Sequence, residues 1–155
     1  MKKNILLIAV LFAIVACNNA DKKRDGHTKN EPKTLADSLM KDIDDGHMIG
    51  MSKIGKLHNT RKEVQRVIDS ISNLSTKSQP STVLYLDQLK TVIKELDYAD
   101  FAMDKWMTEF DMDSAVNNME QRINYLADEK VKVSKVKEVM LGSIQKADSL
   151  LKTKF

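Results

Sequence analysis

The side chains with most chemistry to offer are methionines and histidines at helical spacing. His47 and Met51 lie four residues apart, Met40 and His58 extend the same helical face, and Met103 and Met107 flank the one tryptophan, Trp106. Thioether sulfur and imidazole nitrogen are soft donors that suit Cu(I), so Met40, His47, Met51 and Met107 could form a periplasmic soft-metal site. The same residues could instead offer an adaptable apolar surface to a partner helix, a peptide or lipid. They could equally be core filler, with Gly46 and Gly50, four apart on one face, leaving room for the Trp106 indole. The core reading is preferred, because methionines at core-facing spacing have their sulfurs committed to packing. No tight metal site and no cofactor are therefore expected.

Other constellations fail on inspection. Ser143-Ile144-Gln145-Lys146 matches Ser-x-x-Lys, but neither Ser-Asp-Asn nor Lys-Thr-Gly accompanies it. Asp42-Ile43-Asp44-Asp45-Gly46 imitates a calcium loop, yet with Gly46 at position six, Lys41 and Ile43 fall on ligand positions one and three. Haem of the bundle type needs an axial histidine facing a methionine, and the chain beyond His58 has none. The carboxylates are interspersed with lysines, as on solvated helix faces, and no pair is set apart for acid/base work. Walker and dinucleotide-binding glycine patterns are absent. No catalytic residue, small-molecule substrate or enzymatic activity is expected.

The N-terminus is more specific. Lys2 and Lys3 precede an apolar run from Ile5 to Val15, and Ile14-Val15-Ala16-Cys17 resembles the lipobox at which bacteria cut a lipoprotein precursor and lipidate the cysteine. The run is far short of the about 20 apolar residues a spanning helix needs. Residues 1–16 read as a signal peptide, and Cys17, the only cysteine, as the lipidation site. Asn18 is not an aspartate, which by resemblance to enterobacterial sorting favours the outer membrane. Lys22, Lys23 and Arg24 favour its periplasmic face.

Removing Lys2 and Lys3 takes the formal charge from +3 to +1, and no basic face stands out, so nucleic acid is not an expected partner. Residues 17–33 hold almost no apolar side chain and read as a flexible tether spanning roughly 20 Å. Only 5 Gly and 2 Pro in the chain argue for long helices.

Residues 34–155 read as the helical domain that positions these groups. Thr34 with Asp37 forms a capping-box pattern, and an apolar stripe follows from Leu35 to about Ser72. Ser75 to Pro80 reads as a loop. A second helix begins near Ser81 and carries Leu89, Leu96, Met103 and Phe110. Asp111 to Ser114 supplies a turn, and a third helix carries Met119, Leu126, Val133, Met140 and Ile144. The expected fold is all-α, an up-down-up antiparallel three-helix bundle with long, coiled-coil-like helices, each on the order of 45–60 Å. The alternative is a mid-helix break at Gly46, Gly50, Gly55 or Gly142. Folding the hairpins gathers Met40, Met48, Met51, Met103, Met107, Met112 and Met119 at one end, with His47 and Trp106.

Asp45 to Met51 with Ile54 and Leu57, then Ala99 to Met107, then Tyr125-Leu126 and Ser143-Ile144, resemble a family of small Bacteroidota lipoproteins often labelled "viral A-type inclusion protein". The resemblance implies lineage, lipidation and helicity, with no catalytic residue to carry over. The function expected is a lipid-anchored, non-enzymatic scaffold or interaction module of the cell envelope, with an envelope protein as partner. The alternative is the soft-metal protein described above.

Overall fold

Thr34 opens the first helix with both halves of a capping box: its hydroxyl accepts from the Asp37 amide, and its own amide donates to the Asp37 carboxylate, each at 3.1 Å. A computed structural model describes residues 34–75 and 79–153, all within one compact unit, Pro32–Phe155. The segments assigned above to signal peptide, lipidated Cys17 and tether lie outside the described residues. Four helices follow: α1 (Leu35–Met51), α2 (Ile54–Ser72), α3 (Pro80–Glu109) and α4 (Met119–Leu151). No strand occurs among the described residues.

The expected first helix is two helices. Ser52 donates its hydroxyl to the Ile49 carbonyl at 2.7 Å, and the Lys53 amide bonds Gly50 at 2.8 Å, a tighter three-residue closure. Gly50, Ser52 and Gly55 make this the weakest helix-forming stretch of the first rod. Ser52 and Lys53 both keep right-handed helical dihedrals, so the interruption is slight. Gly142, by contrast, sits inside an unbroken α4.

Cross-helix pairs fix the directions. Asp42 meets Lys130 and Lys56 meets Asp148, so α1 and α2 run parallel to α4. Arg61 pairs with Asp97 and His58 with Asp100, making α2 antiparallel to α3. Tyr85 donates to the Leu150 carbonyl at 2.9 Å, and Lys146 pairs with Glu95 at 2.5 Å, so α3 is antiparallel to α4. The up-down-up order therefore holds, with α1 and α2 sharing the first rod. Leu57, Val64, Leu89, Leu96, Met103, Leu126, Val133 and Met140 form the buried seam between the rods. Methionines at the ends behave differently: Met48 and Met119 are exposed.

Candidate functional site

Where α1 passes α3, their facing side chains leave a groove of about 620 Å³. Met40, Ile43, Asp44 and His47 form one wall, at the three- and four-residue steps that place them on a single face of α1. Trp106, Met107 and Phe110 form the other wall, and Met112 reaches in from the turn that follows α3. The lining is largely apolar, with Lys41 and Asp44 its charged members. Lys41 is held by Asp45, whose carboxylate raises the ammonium pKa through a hydrogen bond and its charge.

Across the groove, Nε2 of His47 lies 3.2 Å from Sδ of Met107. The His47 ring also tilts against Trp106, with centroids 5.6 Å apart. Trp106 stacks on Phe110 at 5.2 Å, and Phe110 on Tyr125 of α4 at 6.2 Å, so a ladder of rings ties the three rods together. The Tyr125 hydroxyl accepts the Asp111 amide at 2.7 Å, which fastens the start of the turn carrying Met112.

Trp106 is buried, as its spacing implied, but the glycines play a different part. A methyl group on Gly46 would meet Val133 at 3.3 Å, and one on Gly50 would fall 2.2 Å from Cε of Met103. Gly46 therefore permits the approach of α1 to α4, and Gly50 makes room for Met103. The indole is accommodated by α4: its Nε1 donates to Glu129 at 2.9 Å, and Lys132 holds the other carboxylate oxygen at 2.7 Å. Glu129 is 4% exposed, and its hydrogen bond and then its charge raise the Lys132 pKa. Sequence reasoning missed this acid. Its position between Leu126 and Val133, at steps of three and four, was the available signal.

The other sequence-predicted residues are distributed unevenly. Met103 has no exposure and belongs to the core, so it contributes packing rather than a surface. Met51 is exposed and outside the groove lining; Met107 is the sulfur facing His47. His58 lies on the α2–α3 surface, 3.1 Å from both oxygens of Asp100. The Ser143 hydroxyl is buried and bonded to the Met140 carbonyl, while Lys146 is paired with Glu95, so the Ser-x-x-Lys residues serve separate structural bonds. No group of three or more His, Cys, Asp or Glu able to hold a metal occurs among the described residues. No described helix is long and apolar enough to cross a membrane. Comparison with protein-family models, curated proteins and solved structures yields no match.

Proposed function

We propose that the protein is a lipid-anchored, non-enzymatic interaction module of the bacterial cell envelope, tethered through Cys17 to the outer membrane on its periplasmic face. In this reading the α1–α3 groove receives an apolar helical segment of an envelope protein. The observation that supports it is the groove itself: a largely apolar lining with one lysine and one aspartate, and three methionines whose unbranched side chains adapt to irregular partners. Such a groove suits the mode in which an amphipathic helix lays its apolar face into a cleft.

Photo-crosslinking in cells tests the binding face. A photoreactive residue replacing Asp44, on the groove wall, should yield an adduct of one discrete mass, abolished by Met107→Glu. The same residue replacing Gln88, remote from the groove, should yield none. Equal adducts from both positions, or none from position 44, would overturn the reading. The anchor is tested separately: Cys17→Ala should move the protein out of the membrane fraction.

A further inference from the structure

From the His47–Met107 contact we infer a second capacity of the groove: a binding site for a soft monovalent cation, Cu(I) or its redox-inert counterpart Ag(I). A thioether is a weak hydrogen-bond acceptor, so an imidazole nitrogen 3.2 Å from sulfur gains little from that contact alone. With the proton on Nδ1, two lone-pair donors face one another. A cation that takes one nitrogen and one sulfur converts that opposition into two bonds.

The surroundings extend the donor set. Met40 lies about two helical turns before His47 on the same wall, and Met112 reaches in from the turn; both line the same groove. Their flexible stems can bring further sulfur to a cation held between His47 and Met107. The Trp106 ring lies beside the imidazole, where its π-face can attract a cation, and Asp44 adds negative charge to the lining. The donor chemistry also selects. Imidazole and thioethers favour Cu(I), whereas calcium and magnesium want oxygen ligands that this groove does not gather.

The expectation that methionines at core-facing spacing commit their sulfurs to packing holds for Met103, which is fully buried, but not in the groove. Met107 is 37% exposed and Met112 is 62% exposed, and both line the groove, so neither side chain is shut into the core. This site stands on groove geometry alone and is independent of whether a partner helix docks there.

The test is an anaerobic competition titration of the full chain in detergent, with Cu(I) as the only metal and a chromogenic Cu(I) chelator as competitor. Cys17 is capped by lipid or alkylation so that no thiolate contributes. One equivalent of copper per chain should be withheld from the chelator. His47→Ala and Met107→Leu should each weaken retention at least tenfold, the lower end of what even outer-shell changes cost a metal site. Met48→Leu, outside the groove, should leave it unchanged. Met107→Leu conserves volume and is readily tolerated, so it decides the matter should His47→Ala fold poorly. In parallel, the ¹³C-labelled Met107 methyl resonance should shift with Ag(I) and stay in place with Zn(II). No retention by the wild-type chain, retention unchanged in Met107→Leu, or a Zn(II) shift matching that of Ag(I) would overturn the proposal.

Discussion

Trp106 and Glu129 show how one buried polar contact orders a site. The indole N–H needs an acceptor when it leaves water, and the carboxylate needs donors; each supplies the other, with Lys132 completing the set. Glu129→Leu fits an apolar seam but strands the indole donor, and should cost about 1–3 kcal/mol. Glu129→Gln keeps an acceptor for Trp106 and loses only the ion pair, whose lysine end is exposed, so it should cost less than about 1 kcal/mol. Urea unfolding followed by Trp106 fluorescence measures both. A Leu variant as stable as the parent would show that the bond does not hold the indole. At this scale the sequence displayed the donors of the groove, because hairpin folding brings residues near 47 opposite residues near 106. It did not display which sulfur would face His47, since side-chain direction depends on how far each rod is rotated about its axis. The i, i+4 spacing put Met51 first beside His47, whereas the sulfur that faces the imidazole is that of Met107 on α3.

The helices were legible where apolar spacing was dense, as in α3 and α4, and less so where small residues cluster. The stripe from Leu35 to Ile71 keeps helical phase through Ser52 and Lys53, because both retain helical dihedrals; periodicity alone therefore reads one helix where there are two. The glycines separate two costs that sequence cannot distinguish. Gly142 faces open space within α4, so Gly142→Ala should stabilise by about 0.5–1 kcal/mol through reduced backbone entropy in the unfolded chain. Gly50→Ala has the same intrinsic gain but drives a methyl into Met103, a fully buried side chain that must shift. It should end at least about 1 kcal/mol less stable than Gly142→Ala, consistent with the cost of overpacking. Thermal or chemical denaturation of the two variants makes the comparison. Equal gains would mean that α1 does not sit tightly on Met103.

At the scale of the whole molecule, pH acts on pairs between and within rods. Lys132 has a raised pKa from Glu129, Lys41 from Asp45 and Tyr85 from burial. A raised folded-state pKa stabilises below the unfolded value and is lost as pH climbs through the folded one. The melting temperature should therefore fall once pH passes about 10, the ordinary value for tyrosine and close to that for lysine. Asp42 has a lowered pKa, chiefly through its hydrogen bond to Lys130, so its contribution is present above the usual carboxylate value near 3.8 and lost in acid below it. A melting curve that rises with pH beyond 10 would contradict the alkaline assignments. Both the proposed partner groove and the proposed cation site depend on α1 and α3 closing with His47 on one wall and Met107 on the other. The most direct measurement is a nuclear Overhauser spectrum of the ¹³C-methionine-labelled protein. A cross-peak between the His47 ring protons and the Met107 methyl, accompanied by His47–Trp106 ring contacts, is the result these distances predict. A folded, helical protein lacking the His47–Met107 cross-peak would contradict it.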